Sequence, residues 1–255
     1  MVKVYIKDDA ELTYTARRIV NRHPWGYQSA MAQGGRGMGK TAFCMHTTRQ
    51  VYQYIYGVSK DDAWKMVLNH MLFSIQDVVK ALEILDSIDM KNILEWQKNN
   101  TVPCYIWDDA GMHGGKYKFF VNVKMVDYLK GLMDTMRFVT SGFLINAPEL
   151  SGLLGFIREY RDQLIIDIGY RTDGMQQGGE YGREANIKHY VTRRNGGKQL
   201  RTINKTKFSC YVDKWVYSEY SRMKARAIIE NKNELKRMEE LAKKMEQKRE
   251  EKMVE

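Results

Sequence analysis

Residues 34–41 read Gly34-Gly35-Arg36-Gly37-Met38-Gly39-Lys40-Thr41, and every fixed position of the pattern G-x-x-x-x-G-K-[ST] is present. Glycines in this pattern let successive backbone N–H groups turn toward one point. A helix starting at the end of the loop adds its positive terminus, so the loop can surround phosphate oxygens. Lys40 is placed to reach the β- and γ-phosphates of a nucleotide, and Thr41 to offer its hydroxyl to Mg²⁺. The expected nucleotide contacts are therefore Gly34, Gly35, Arg36, Gly37, Met38, Gly39, Lys40, Thr41 and Ala42. The pattern has this meaning only between a strand and a helix. Tyr27 to Gln33 reads as a short strand entering the loop, and Lys40 to Tyr56 as the helix leaving it.

Further along the chain, Cys104-Tyr105-Ile106-Trp107-Asp108-Asp109 is an apolar run ending in two carboxylates. Val102 to Trp107 has the composition of a strand buried on both faces. Asp108 at its end is expected to hold Mg²⁺, directly or through water, and Asp109 to orient or deprotonate the attacking water. The alternative is a pair of solvated loop aspartates. Between Lys40 and Asp108 there is room for two βα steps, which puts the acidic strand next to or near the loop strand.

Strand and helix signals then alternate. Met66 to Phe73 fits either type, Asp77 to Leu85 and Lys91 to Lys98 have helical spacing, and Val123 to Met136 is a helix. Phe138 to Ile145 reads as a strand ending at Asn146-Ala147-Pro148, Leu150 to Tyr160 as a helix, and Gln163 to Ile168 as a compact strand. Such alternation implies a parallel sheet covered by helices on both faces. The fold class expected is α/β, a P-loop NTPase three-layer α/β/α arrangement with a mostly parallel sheet, followed by a β-hairpin and a long C-terminal helix. In a parallel sheet Asn146 emerges on the same carboxyl edge as the loop and Asp108, either sensing the γ-phosphate or serving only as a turn residue. Two readings stand for Arg158 and Arg161, just before the last strand of the core: an arginine projected into a neighbouring subunit's nucleotide site, or a local surface ion pair.

After Gly169 the character changes. Residues 171–182 hold four glycines and read as a loop, and residues 186–217 alternate around Asn195-Gly196-Gly197 as a hairpin does. Eight basic residues (Arg183, Lys188, Arg193, Arg194, Lys198, Arg201, Lys205 and Lys207) fall between 183 and 207 against the single acid Glu184. A hairpin so charged either lies on a phosphate backbone or is a solvated edge protected by lysines. His113, in a glycine-rich stretch behind Asp109, is read as a loop histidine. From Ser218 onward, Lys, Glu, Arg, Met and Leu dominate without Gly or Pro, so one charged helix is expected. The organisation read from these shifts is an ATPase core at 1–170, a glycine-rich loop with basic hairpin at 171–217, and a charged helix at 218–255.

The composition, 44% hydrophobic and 28% charged over 255 residues, suits a folded globular chain. A net charge of +10 points toward a polyanionic partner, DNA above all. Three cysteines far apart suggest neither a disulfide framework nor a zinc site. No apolar run is long enough to span a bilayer and no signal segment precedes the core, so a cytoplasmic location without membrane contact is expected.

With loop, acidic strand end, polar strand end and following arginines in this order, residues 15–170 resemble the AAA+ branch of P-loop ATPases. Within it, the A-Q-G-G-R-G-M-G-K-T loop and the W-D-D-A-G strand end look most like the DnaA-like ATPases of archaeal spindle-shaped viruses and plasmids. That resemblance implies a Mg²⁺-dependent ATP hydrolase working as a homo-oligomer in replication initiation or DNA remodelling. Because the residues after 170 read as a hairpin rather than a helical lid, an FtsK/HerA-like or RecA-like DNA-translocating or packaging motor stands as the second reading. A nucleotide-dependent switch that binds a protein is the third.

Overall fold

A computed structural model of the chain describes residues 12–108, 110, 123–147, 162–170, 182–192, 198–230, 232–233 and 236. The loop strand β1 (Gln28–Gln33) lies inside a seven-stranded sheet. Its partners come from far along the chain: β4 (Gly142–Asn146) on one side and β5 (Leu164–Tyr170) on the other, both parallel to it. Beyond β4 come β3 (Tyr105–Trp107) and the short β2 (Met71–Leu72), also parallel. Beyond β5, β6 (Gly182–Thr192) and β7 (Lys198–Ser209) continue the same sheet antiparallel. The order is β2-β3-β4-β1-β5-β6-β7, an α/β sheet of the P-loop NTPase type that is mostly parallel and ends in a hairpin.

Alternation of side chains along each strand divides the two faces. Leu72, Trp107, Ile145, Met31 and Ile165 point to one side, where they pack with Val78 of α4 (Ile75–Leu82) and with Leu132, Met133 and Met136 of α6 (Val123–Val139). The opposite side meets α1 (Tyr14–Val20) and α2 (Lys40–Tyr56): Ile19 fills the space above Gly142, and the Tyr52 hydroxyl donates to the Cys104 carbonyl at 2.8 Å. Trp64 of α3 (Lys60–Asn69), Trp107, Tyr52 and Phe43 are among the largest side chains wholly removed from water, which is where most of the stabilisation of such a core resides.

Local signals explain the helix limits. α2 stops at Gly57, whose left-handed backbone (φ 64°) turns its N–H back to the Gln53 carbonyl. A capping box of Ser74 and Asp77 opens α4, and Ser59 caps α3. α5 (Ile93–Asn100) follows the 3-10 turn Glu83–Ser87. The ambiguous run from Met66 to Phe73 divides between the two structures it fits: it is helical through Asn69 and extended at Met71–Leu72. Two expectations shift. Phe138, read as the start of a strand, is the penultimate residue of α6, because Thr140 closes that helix by donating its N–H to the Met136 carbonyl at 3.0 Å and β4 begins only at Gly142. The helical run also reaches back before Met66, since α3 starts at Lys60, where no element was expected.

The chain divides into two compact units, Met1–Val212 and Asp213–Glu255. In the second, a helix α7 at 214–230 starts four residues earlier than the composition suggested. No helix among the described residues is long and apolar enough to cross a membrane.

Candidate functional site

The carboxyl edge of the parallel strands brings three separated segments together. β1 delivers the chain into the glycine loop, and α2 leaves it from an N-cap at Gly39 that has left-handed backbone (φ 92°). No side chain caps this terminus and no acid occupies its first turn. Such a helix start directs backbone N–H groups and positive potential at an anion. Gly34 (φ 144°) is needed for contact as well as conformation, since a Cβ there would stand 2.6 Å from the Ile168 carbonyl oxygen of β5. A Cβ at Gly39 would overlap the Cys210 sulfur. Arg36 is exposed at the loop tip. The Lys40 ammonium is held across the loop by the carbonyls of Gly34 (2.8 Å) and Gly35 (2.9 Å), with the side chain largely buried.

Asp108 and Asn146 reach the same edge from β3 and β4. Trp107 pairs with Ile145, and Ala32 with Asn146, so the residues that end β3 and β4 stand level with the end of β1. The Thr41 hydroxyl donates to Asp108 Oδ1 at 3.0 Å; Asn146 Nδ2 donates to Thr41 Oγ1 at 2.7 Å and to the same Asp108 oxygen at 2.5 Å. Both Asp108 and Asn146 are buried. Thr41, Asp108 and Asn146 thus form a closed polar triangle beside Lys40, and the Asn146 amide is committed to the two oxygens rather than to a turn. The neighbouring Cys44 thiol is pushed well up by burial, then by the Asp108 carboxylate and by Cys104, while Lys40 pulls the other way. Cys104 is raised to about 12 by burial. Neither is a thiolate at neutral pH.

The donor set suits a hard divalent ion. Thr41 Oγ1 and Asp108 Oδ1 are oxygens 3.0 Å apart, and Mg²⁺ characteristically takes one or two protein oxygens and completes its shell with phosphate and water. No group of three or more His, Cys, Asp or Glu that could cage a metal occurs among the described residues. This fits an ion shared with a ligand. Asp109, His113, Arg158, Arg161, Arg193 and Arg194 lie outside the described residues.

The hairpin cations are less uniform than their spacing suggested. Arg183 is buried with its guanidinium 4.3 Å from the Tyr170 ring centroid. Lys188 pairs with Asp167, and Lys205 lies 3.5 Å from Glu184. Lys198, Arg201, Lys205 and Lys207 are exposed on β7, the last strand of the sheet. A register shift opposite Ile187/Lys188 puts Arg201 on the face opposite to Lys205 and Lys207.

One connection had not been read from the residues. Gln33, the last residue of β1, donates its side-chain amide to Asp167, the carboxylate that also holds Lys188. A polar bridge therefore joins the loop strand to the hairpin. Its signal was available: Asp167 interrupts the otherwise apolar run Leu164 to Ile168.

No family model matches the chain. Among curated proteins, the uncharacterized protein B-251 of Sulfolobus spindle-shape virus 1 is 25% identical over 233 residues, covering 89% of this chain and 85% of that one. Two solved structures are similar at low scores. The ATPase domain of a DnaB-like protein has a TM-score of 0.30 and 11% identity, covering 68% of this chain and 79% of that one. A KaiC-like protein from the hyperthermophilic archaeon Pyrococcus horikoshii OT3 has a TM-score of 0.31 and 13% identity, covering 71% and 84%. At these scores neither carries an argument, and the reading of the site rests on the geometry of this chain.

Proposed function

We propose that this chain binds and hydrolyses ATP with Mg²⁺ and couples that reaction to work on DNA as a homo-oligomer. The observation that carries the ATPase reading is the Thr41–Asp108–Asn146 triangle beside Lys40 and the uncapped start of α2. Loop N–H groups and Lys40 bind the phosphates, and Thr41 and Asp108 hold the ion. Asn146 fixes those two oxygens and has a second role in reading the γ-phosphate. A bound Mg²⁺ supplies charge neutralisation at the phosphoryl group in transfer. Asp109 orients or deprotonates the water, and Arg158 or Arg161 of a neighbouring subunit offsets transition-state charge. ATP is favoured over GTP because the chain lacks an N-K-x-D segment.

Residues 1–170 serve as the ATPase core, 171–217 as a basic extension contacting DNA, and 218–255 as a charged helix. The likeness to a viral protein supports a replication or DNA-handling role for an archaeal virus or plasmid, in the host cytoplasm. The AAA+, DnaA-like initiator is the first reading. The RecA-like or FtsK/HerA-like motor is favoured by one observation: beyond β5 the chain adds two strands to the core sheet.

The test is ATP turnover measured with and without single- and double-stranded DNA while oligomer size is followed. Turnover that rises with DNA and with assembly is the expected result. Turnover in an oligomer indifferent to DNA would leave a nucleotide switch, and no turnover under any condition would end the ATPase reading. Directional translocation along DNA separates motor from initiator.

A further inference from the structure

Three contacts tie the end of the hairpin to the start of the phosphate-loop helix. Phe208, next to last in β7, meets Phe43 edge-on with ring centroids 5.2 Å apart. Cys210 places its sulfur where a side chain at Gly39 would be. The backbone carbonyl of Tyr211 lies 2.7 Å from His46 Nε2. Phe43 and His46 are one helical turn apart on α2, and Gly39 is its N-cap. The segment from Phe208 to Tyr211 thus lies along the first two turns of the helix whose N–H groups and Lys40 face the phosphates. It continues the strand that carries Lys198, Arg201, Lys205 and Lys207 on its exposed side.

We propose that Phe208 and Cys210 are positioning residues that set the place of Gly39, and that β7 is a strut through which a polyanion on the hairpin and a nucleotide in the loop sense each other. Closeness gives the reason. With the sulfur against Gly39, a shift of β7 along its axis moves either the helix start or the sulfur, and packed interiors resist compression. A displacement of the N-cap misaligns every loop N–H at once, so small motions of β7 become changes in nucleotide affinity. Thermodynamic reciprocity then requires nucleotide to change polyanion affinity by the same factor. The inference rests on the nucleotide reading of the loop.

The test uses the full chain, a non-hydrolysable ATP analogue with Mg²⁺, and a mixed-sequence DNA duplex. Cys44 and Cys104 are buried, so an aromatic disulfide reagent labels Cys210 in the folded protein, releasing one aromatic thiol. The adduct is expected to weaken analogue binding about tenfold, and bound analogue to slow labelling. Phe208→Ala is expected to weaken the analogue about tenfold and to abolish a coupling of about fivefold between analogue and duplex. Phe208→Leu, which keeps most of the apolar contact, is expected to restore most of both. Unchanged analogue affinity in labelled protein, with wild-type coupling in Phe208→Ala, would overturn the strut while leaving the nucleotide reading intact. A wild-type chain that fails to bind the analogue at all would overturn that reading, and the strut with it.

Discussion

The sheet has a parallel part around β1 and an antiparallel part beyond β5, and they handle polar groups in opposite ways. In the parallel part, helices cover both faces and almost every strand residue is buried. The polar side chains admitted there, Thr41, Asp108 and Asn146, satisfy one another in a single cluster at the carboxyl edge. In the hairpin the charges are spread along the strands: Lys188 is held by Asp167, Lys205 lies by Glu184, and Arg201 is exposed. Burial makes an unpaired polar group costly, so the parallel part concentrates polarity where a ligand can use it. An edge in water has no such penalty and can spread charge over a broad surface.

If that contrast is right, the largest effect comes from the concentrated site. Lys40→Ala is expected to lower ATP turnover by at least about 10²–10³-fold and to weaken nucleotide binding, read by steady-state turnover and analogue titration. Unchanged turnover would remove the site from the chemistry. Next, Asn146→Ala leaves both candidate ion ligands but frees them to rotate. A loss of about 10–100-fold in Mg²⁺ affinity or activity is expected, as for other groups that hold ligands in place, measured as turnover against Mg²⁺ concentration. An unchanged Mg²⁺ profile would show that Thr41 and Asp108 need no support.

The hairpin should respond more gently and with a split. Arg201→Ala is expected to weaken DNA binding alike for unrelated sequences and to flatten the plot of log affinity against log salt by roughly 0.9, leaving the melting temperature in place. Lys188→Ala should lower the melting temperature and leave the salt slope alone, because its partner Asp167 loses an ion pair inside the polar bridge. The reverse pattern would mean that the cations play each other's parts.

The smallest effect concerns pH. His70 and His23 both have pKa values lowered from 6.5, in each case chiefly by burial, with the Met66 carbonyl opposing this for His70. The unfolded chain therefore takes up protons first as pH falls. Stability is fully present above about 6.5 and declines from there through the lower folded values. A drop of about 2–4 °C in melting temperature for each ~1 kcal/mol lost is expected on going from pH 8 to 5. His70→Phe should reduce that slope, and an unaltered profile would put the acid sensitivity elsewhere.

What could be read from the residues follows the same division. Gly34 to Thr41 announces itself because few residue types meet its backbone requirements, and Trp107-Asp108 because a carboxylate at the end of an apolar strand has few uses. Asn146 was placed by strand counting alone. The strand before it was overextended to Phe138, since an apolar run carries no mark of where a helix yields to a strand. The touching of Cys210 and Gly39 was invisible: it depends on how far β7 runs and where its register shifts, and nothing local to Phe208-Ser209-Cys210 encodes that. Nor does spacing reveal that Lys188 and Lys205 have carboxylate partners, since Asp167 and Glu184 become neighbours only through cross-strand registers.

The central place of β1 also has a consequence for the order in which the molecule can be built. Gln28 pairs with Gly142 and Ala30 with Leu164, so the strand that leads into the loop is synthesised long before either neighbour exists. While the ribosome is still short of β4, the loop and α2 have no sheet to dock on, and the loop's backbone amides remain with water. Long-range parallel pairing of this kind is slow because wide chain closures precede any reward. The nucleotide loop, among the first parts to emerge, is therefore among the last to take shape.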